Sequence, residues 1–359
     1  MSLFGAAFRL ARPFLHARDA EDAHLATIKA LKCLPPLPVP RADPRLAQEL
    51  FGLKFPNPLG LAPGFDKNAE VPDAMLRLGF GFVEVGTLTP LPQAGNPRPR
   101  LFRLTEDDAV INRMGFNNQG HWEAHKRLKK RRKFGIVGVN IGANKDSVDR
   151  ISDYVAGIAA FSELADYITV NISSPNTPGL RGLQSATELE TLLSRLNAAR
   201  ATQAKRPAML LKIAPDLGEL EMADIAACCG NGAVDGVIIS NTTISRPGLS
   251  SVHGTETGGL SGRPLFSLST QQLARFYLLT HGKIPLVGVG GVEDGETALA
   301  KLHAGASLIQ VYSALVYRGP QLIKDIIRTL TNEVSRAGSL DALRGRKAEE
   351  LAHQTDAGK

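Results

Sequence analysis

The chain has 359 residues, of which 43% are hydrophobic and 6% are aromatic, and it contains 35 glycines and 22 prolines. This length and composition exclude a fibrous or disordered chain and fit one large α/β enzyme domain with many junctions between strands and loops. The net charge of +7 is local, because residues 126–133 hold seven of the 42 lysines and arginines, and 42 − 7 = 35 equals the number of acidic residues.

The N-terminal part of the chain predicts a small helical segment followed by a linker. Apolar side chains recur at helical spacing in residues 3–15, and Asp19 and Asp22 resemble the capped start of a second helix that extends to about residue 34. The proline-rich residues 35–40 cannot continue a helix. We therefore place a domain boundary near residue 40.

Short apolar runs alternate with longer helical patterns after this boundary and predict eight buried strands. The runs are residues 58–62, 81–86, 135–141, 167–172, 209–214, 236–240, 285–290 and 307–311. Nearly continuous hydrophobic strands separated by helices imply parallel pairing, and this number of them favours closure into a barrel. The predicted architecture is an α/β TIM (β/α)8 barrel over residues 41–335, behind the helical segment of residues 1–40 and before a charged tail of residues 336–359.

The sequence has no recognisable signal for export or for spanning a membrane. No apolar run approaches the ~20 residues of a membrane-spanning helix, and the N-terminus lacks the pattern of a cleaved signal. Cys33, Cys228 and Cys229 are an odd number without a Cys-x-x-Cys pair, so neither a disulfide framework nor a zinc site is expected. These features favour a reducing compartment, in the cytoplasm or at its edge.

Three interpretations of the basic residues 126–133 stay open. The run is a solvated helix end, a contact with an anionic membrane surface, or a contact with nucleic acid. No aromatic residue interleaves with these charges. We therefore expect no nucleic-acid partner.

Polar residues follow the predicted strands at their carboxyl ends, where barrel enzymes carry their chemistry. They are amides, hydroxyls and two lysines, namely Lys67, Asn140, Asn171, Ser173, Ser174, Asn176, Lys212, Asn241, Thr242 and Thr243. The chain has no His-Glu-x-x-His motif and no cluster of carboxylates, so it lacks the groups for metal-dependent hydrolysis or paired-acid glycosidase chemistry. No metal site is expected, and the set resembles one that binds a planar, amide-rich ring.

Two glycine-rich segments predict a phosphate site. Residues 258–264 follow the sixth predicted strand, residues 289–291 follow the seventh, and Tyr312 and Ser313 close the eighth. Backbone N–H groups without side chains form anion nests, and barrels often bind phosphate in the loops after strands seven and eight. A phosphorylated cofactor or substrate is expected.

Two other features keep alternative interpretations. Lys212 suits a Schiff-base nucleophile, a positive charge beside a developing anion, or a structural ion pair, and a flavin would favour the second because reduced flavin is negative. Residues 171–179 contain Ser, Pro, Asn and Gly and would form a turn for that reason alone. No His or Asp lies near Ser174 in sequence, so chemistry alone does not select it as a base.

Four strings closely resemble class 2 dihydroorotate dehydrogenases: residues 95–103, 111–118, 171–181 and 258–265. The resemblance spans about residues 10 to 330. It implies that dihydroorotate loses a proton from C5 to an active-site base and a hydride from C6 to N5 of FMN, giving orotate for pyrimidine synthesis. The soluble class 1 enzymes use cysteine as the base, whereas class 2 enzymes use serine.

The resemblance also assigns residues of this chain. The base is Ser174, and Thr177 and Phe116 match neighbours of the base that assist the escape of its proton. The substrate contacts are Lys67, Asn112, Arg113, Met114, Gly115, Phe116, Asn171, Asn176, Asn241 and Thr242. The FMN contacts are Ala62, Pro63, Gly64, Phe65, Asp66, Lys67, Thr87, Asn140, Asn171, Lys212, Ser240, Gly262, Gly291, Tyr312 and Ser313. Ser240 stands where many relatives have threonine, which keeps the hydroxyl.

The N-terminal helices resemble the class 2 extension that enters the membrane surface and forms a tunnel for quinone. His24, Arg103 and Tyr312 match polar residues of that tunnel. The resemblance implies a membrane quinone as acceptor and peripheral association with the cytoplasmic side of the cell inner membrane. From the residues alone, His24 would be an ordinary exposed helix histidine. An apolar stripe beside Arg9 and Arg12 fits interfacial binding or simple packing against the barrel, and it consists of Leu3, Phe4, Phe8 and Phe14.

Three other functions compete with this assignment. A tRNA-modifying flavoprotein barrel would need a separate basic RNA-binding domain and a catalytic cysteine, and neither is evident. A Schiff-base aldolase using Lys212 would be colourless, whereas a flavoenzyme is yellow. A non-catalytic membrane-binding module would not need so many polar groups at the strand ends.

Overall fold

The structure is a computed structural model that describes residues 3–35, 37–230 and 232–354. The strands are β1 (Gln48–Leu50), β2 (Leu53–Phe55), β3 (Leu59–Leu61), β4 (Phe82–Leu88), β5 (Leu101–Leu104), β6 (Ala109–Asn112), β7 (Ile136–Ile141), β8 (Tyr167–Asn171), β9 (Ala208–Ile213), β10 (Gly236–Ile239), β11 (Gly259–Gly262), β12 (Leu286–Val289) and β13 (Ala306–Val311). The helices are α1 (Leu3–His16), α2 (Ala20–Lys32), α3 (Pro72–Arg77), α4 (Gly120–Lys130), α5 (Arg150–Phe161), α6 (Ala186–Ala201), α7 (Glu219–Cys229), α8 (Phe266–Leu279), α9 (Gly295–His303), α10 (Ala314–Arg318), α11 (Gln321–Ala337) and α12 (Ala348–Ala352).

Eight parallel strands close into a barrel in the order β3, β4, β7, β8, β9, β10, β12, β13. The TIM barrel prediction is confirmed, and each predicted strand coincides with one of these. Their side chains are buried on both faces, as the continuous apolar runs require. The amino-terminal end is closed by the β1–β2 hairpin, whose Phe55 ring packs edge-on against Phe82 with centroids 5.4 Å apart.

A three-stranded antiparallel sheet, which the sequence analysis does not predict, lies outside the barrel. It consists of β5 and β6, inserted after β4, and β11, inserted after β10. It joins two loops at the carboxyl end of the barrel. This sheet therefore shapes the end of the barrel at which the site residues are predicted.

The N-terminal helices form as predicted and are attached to this same end. Asp19 caps α2 by accepting the N–H groups of Glu21 and Asp22. The buried Glu21 pairs with Arg100 at 2.7 Å. Burial opposes its ionisation, but hydrogen bonds from Arg100 and Arg98 outweigh burial and hold the pKa of Glu21 below its ordinary value.

Helix α1 is held by the far end of the chain. Arg12 donates to the carbonyl of Tyr317 at 3.1 Å, and a ring nitrogen of His16 lies 3.0 Å from the carbonyl of Val316. The predicted apolar stripe divides, because Phe8 is partly buried against Gly319 whereas Phe14 is exposed. The side chains of Leu3 and Phe4 lie outside what the structure describes.

The C-terminal tail packs on the barrel through α12, which lies against α8. Arg275 of α8 donates to the carbonyl of Ala352 at 3.1 Å. Residues 355–359 of the predicted tail and Pro36 of the predicted linker lie outside the described residues. Among the described helices, none combines the length and the apolar character that crossing a bilayer requires.

Candidate functional site

One cavity of about 520 Å³ extends from the carboxyl end of the barrel to the space between α1 and α2. The residues predicted as base, substrate contacts, FMN contacts and tunnel all line it, apart from three. Asp66 instead accepts the backbone N–H groups of Glu70 and Val71, at 2.8 Å each, and orders the loop after β3. Arg113 pairs with Glu256, and Asn140 lies beneath the cavity surface.

Buried amides and a hydroxyl form the polar floor of the cavity. The hydroxyl of Thr87 donates to Oδ1 of Asn140 at 2.5 Å, and Nδ2 of Asn171 donates to the Thr87 hydroxyl at 3.0 Å. These side chains come from β4, β7 and β8, which are adjacent in the barrel. Each is fixed by its neighbour, so the floor presents hydrogen-bonding groups in set orientations.

Glu84, which is not among the predicted site residues, anchors this floor from below. Its carboxylate accepts Nδ2 of Asn140 at 2.7 Å, the hydroxyl of Tyr167 at 3.0 Å and Nε2 of Gln310 at 2.7 Å. Glu84 is fully buried in β4. A single carboxylate inside the apolar string Phe-Val-Glu-Val was the available signal, because such a residue needs buried donors.

Lys212 enters the cavity from β9 and is only 5% exposed. Burial lowers the pKa of Lys212, and the charge of Glu84 acts in the opposite direction. Among the described residues, no carboxylate lies within ion-pair distance of Lys212, and Glu84 acts on it only through its charge. The ammonium is therefore available to whatever occupies the cavity.

Ser174 lies in the loop after β8 and is 6% exposed. Its Oγ accepts the backbone N–H of Asn176 at 3.3 Å, and Nδ2 of Asn176 donates to the carbonyl of Asn112 at 3.1 Å. The Thr177 hydroxyl is buried and has no hydrogen-bond partner in the part of the chain that the structure describes. This hydroxyl remains able to bond a proton carrier beside the loop.

Hydrogen bonds and an ion pair of Arg181, which the sequence does not reveal, hold two site loops together. Arg181 donates to the carbonyls of Ser173 and Thr242, both at 3.1 Å, and pairs with Asp216 at 2.9 Å. Nδ2 of Asn241 donates to Oγ of Ser173 at 3.0 Å. The loops after β8 and β10 therefore form one unit around the predicted base.

The loop of residues 112–118 covers another side of the polar end. Gly115 has φ +71°, and a Cβ there would lie 2.9 Å from the side chain of Asn96. Phe116 follows with φ +53°, and Nε2 of Gln93 donates to the carbonyls of both residues, at 3.0 and 3.2 Å. Only glycine fits the first position, and Gln93 holds the second in its left-handed conformation.

Of the segments predicted to bind phosphate, residues 259–262 instead form β11 and pair with β6, whereas the loops after β12 and β13 leave backbone donors unused. Among the described residues, the N–H groups of Gly291, Tyr312 and Ser313 donate to no protein oxygen, and all three residues line the cavity. A Cβ at Gly291 would lie 2.4 Å from Cα of Phe266, so this approach also requires glycine. These N–H groups are therefore free to bind an anion in the cavity.

Three aromatic rings lie where the part of the cavity between α1 and α2, the predicted tunnel, meets the barrel. The His24 ring is edge-on to Phe65 with centroids 5.5 Å apart, and Phe65 is perpendicular to Tyr312 at 5.7 Å. Burial, together with the charge of Lys67, lowers the pKa of His24 to about 3, so the ring is neutral at physiological pH. Arg103 borders the same cavity and donates to the carbonyl of Leu15 at 2.9 Å.

Lys67 is the second lysine of the cavity. Its ammonium donates to the carbonyl of Gly64 at 2.6 Å. Burial lowers the pKa of Lys67 to about 8, although the charge of Glu21 acts in the opposite direction. Protonation of Lys67 therefore changes within the range in which enzymes are usually assayed.

Comparison with known proteins gives a consistent result. The family model described as "Dihydroorotate dehydrogenase" matches residues 45–334. A Brucella anthropi protein named "Dihydroorotate dehydrogenase (quinone)" is 57% identical over 96% of this chain and 97% of its own length. A Mesorhizobium japonicum protein of the same name is 57% identical over 94% and 95%.

Solved structures agree with the sequence comparisons. Ligand-free DHODH from Eimeria tenella superposes with a TM-score of 0.86 at 40% identity, covering 94% of this chain and all of that one. The same protein in complex with ferulenol gives a TM-score of 0.86 over 91% of this chain and 95% of that one. With the family match, nearly full-length relatives and this structural agreement together, the chain belongs to the dihydroorotate dehydrogenase family.

Proposed function

We propose that this chain oxidises (S)-dihydroorotate to orotate with FMN and passes the electrons to a membrane quinone, in pyrimidine (UMP) biosynthesis. Its curated relatives are named for dihydroorotate and quinone. One observation carries the proposal: a single cavity has a polar end at Ser174 and Lys212 and an apolar end between α1 and α2. A polar substrate and an apolar acceptor each find a suitable end.

The polar end fits FMN. The unused N–H groups of Gly291, Tyr312 and Ser313 match a phosphate, and the fixed amides of the floor match a flavin ring. When bound, FMN supplies the acceptor for the hydride that leaves C6 of the substrate. Lys212 would place a positive charge where the reduced cofactor is negative. The remaining proposed contacts are Ala62, Pro63, Gly64, Phe65, Asp66, Lys67, Thr87, Asn140, Asn171, Ser240 and Gly262.

The substrate would lie between the loop of residues 112–118 and the loop after β8. Asn112, Asn171, Asn176 and Asn241 each offer a donor and an acceptor to the amide edges of the ring. Lys67 suits the carboxylate of the substrate. Met114, Gly115, Phe116 and Thr242 complete the proposed substrate contacts that line the cavity. Arg113 instead pairs with Glu256 at 2.7 Å, so we assign it to holding the loop.

Ser174 would take the proton from C5. Removal from water favours a neutral serine, so this base needs a route by which the proton leaves. The unpartnered hydroxyl of Thr177 lies in the same loop and supports that role. Phe116 shields the same region.

The apolar end would bind quinone, with His24, Arg103 and Tyr312 at its inner limit. Apolar side chains of α1 and α2 line the passage, including Ala11, Leu15 and Leu31. A long apolar quinone resides in the bilayer, so this passage must meet a membrane surface. We therefore propose peripheral association with the cytoplasmic side of the inner membrane.

An anaerobic titration tests the proposed function. The purified protein is expected to show a flavin absorption band that bleaches when dihydroorotate is added and returns when quinone follows. A colourless protein, or a yellow one that dihydroorotate leaves oxidised, would contradict the proposal. The first result would favour an aldolase that uses Lys212.

The binding of orotate is expected to depend on pH through Lys67. Its pKa is lowered to about 8, so the ammonium is present below that pH and is lost above it. The dissociation constant of orotate should rise by up to about tenfold for each pH unit above 8. Calorimetric titration of the oxidised holoenzyme measures it.

Two variants provide the comparison for this pH dependence. Lys67→Met should bind orotate more weakly at neutral pH and lose the rise above pH 8. Lys54→Met, at an exposed lysine of β2, should keep the native profile. An unchanged profile in Lys67→Met would assign the titration to another group.

A further inference from the structure

A second cavity, of about 580 Å³, lies beside the tunnel at the C-terminal end of α2. We call it the basic groove, and its cationic lining is Lys32, Arg77, Arg127, Lys130, Arg131 and Arg132. The groove and the tunnel share Leu31 and Leu34. Helix α3 separates them, with Met75 facing the tunnel and Ala74 facing the groove. The two openings are therefore neighbours.

The groove has an excess of positive charge. Its lining has six cationic side chains and two carboxylates, Glu70 and Asp73. Both carboxylates are already paired, with Lys32 at 3.1 Å and with Arg131 at 2.9 Å. In the described ranges, no carboxylate forms an ion pair with Lys130 or Arg132, and both side chains are exposed.

The surface near the tunnel is apolar as well as basic. Ala7 and Ala11 of α1 line the tunnel opening and are exposed, and Leu10 and Phe14 on the same helix are 77% and 75% exposed. These positions recur at the spacing of one helix face. An apolar helix face next to a cationic groove is the combination that an anionic bilayer surface binds.

We propose that the basic groove binds the phosphate of an anionic lipid headgroup, and thereby holds the tunnel opening against the bilayer. This rests on the proposed peripheral membrane association and adds the lipid that is recognised. A phosphate in the groove would meet Lys130 and Arg132, which form no ion pair with a carboxylate of the described residues. The shared wall at Leu31 and Leu34 places acyl chains of that lipid beside the passage for quinone.

Binding of the full-length holoenzyme to vesicles tests the groove. The probes are vesicles of phosphatidylcholine alone and of phosphatidylcholine mixed with phosphatidylglycerol. The variant is Lys130→Gln with Arg132→Gln. The matched control is Arg206→Gln with Lys283→Gln, at exposed residues that precede β9 and β12, across the barrel from α3 and α4.

The native protein and the control are expected to prefer the anionic vesicles, with a preference that shrinks as salt is added. The affinity of the groove variant for anionic vesicles should be at least about tenfold lower. Each cation near an anionic surface contributes roughly a fivefold factor to that affinity. Its binding to neutral vesicles, its melting temperature and its turnover with a soluble dye should stay native.

Other outcomes would contradict lipid binding by the basic groove, and they can be distinguished from failure of the proposed function. Equal binding of all three proteins to anionic vesicles would exclude lipid recognition while leaving membrane association intact. Loss of binding to inorganic phosphate or to an RNA oligonucleotide, without loss of vesicle binding, would reassign the groove to that ligand. If the native protein bound no vesicle, both the groove and the membrane association would fail, whereas bleaching by dihydroorotate would still be judged separately.

Discussion

Replacing Ser174 with alanine is expected to slow the reduction of the flavin by dihydroorotate by ~10²–10⁴-fold, the usual effect of removing a general base. The substitution removes one hydroxyl. It leaves in place the hydrogen bonds of Arg181 and those of the cavity floor around Asn171. FMN content and the affinity for orotate should therefore stay near native. Anaerobic stopped-flow measurement of flavin bleaching gives the rate.

A cysteine at this position separates loss of the base from loss of packing. Ser174→Cys restores an ionisable group of similar size, and we expect it to recover part of the rate with a pH profile shifted from that of the native protein. Alanine would recover none. If the alanine variant bleached at the native rate, another group would be the base and the assignment of Ser174 would be wrong.

Deleting residues 1–40 is expected to abolish turnover with long-chain quinone while leaving reduction by dihydroorotate largely intact. The eight barrel strands and the residues proposed for FMN all lie after this segment. The apolar passage does not, because α1 and α2 form one of its walls. A small water-soluble acceptor needs no such passage and should still oxidise the flavin.

The truncated protein needs a check before its rates are interpreted. Removing Glu21 leaves Arg100 without its ion pair and exposes apolar barrel surface, which favours aggregation. Flavin content and monodispersity should therefore be measured first, and vesicle association alongside. Native rates with long-chain quinone in vesicles, from a monodisperse truncated protein, would contradict the roles proposed for this segment.

The barrel can be predicted from the sequence because strands that are buried on both faces need continuous apolar runs. The sheet of β5, β6 and β11 cannot be predicted in this way. Each of its strands has four residues, and β6 pairs with β11 from a distant part of the chain. Pairing between short, distant segments leaves no local pattern, so only the folded chain reveals it.

The candidate site was likewise predictable only in part from the sequence. The rule that barrel chemistry lies at the carboxyl ends of strands places Lys67, Ser174 and Lys212 together from sequence alone. The rule does not identify the buried residues whose hydrogen bonds hold the site in place. The lone carboxylate of Glu84 in an apolar string indicates a buried acid, but its donors Tyr167 and Gln310 come from other strands, and no local pattern identifies them.

The contacts that hold α1 also set the order of folding. Arg12 and His16 bind carbonyls that follow them by 305 and 300 residues. At the usual speed of synthesis, the ribosome needs roughly 15–60 s to produce the intervening chain. Helix α1 is therefore made first, yet its docking surface on α10 is completed nearly last. Its docking on α10 therefore cannot begin until residues 314–318 have been made, whereas its contact with Arg103 spans only 88 residues.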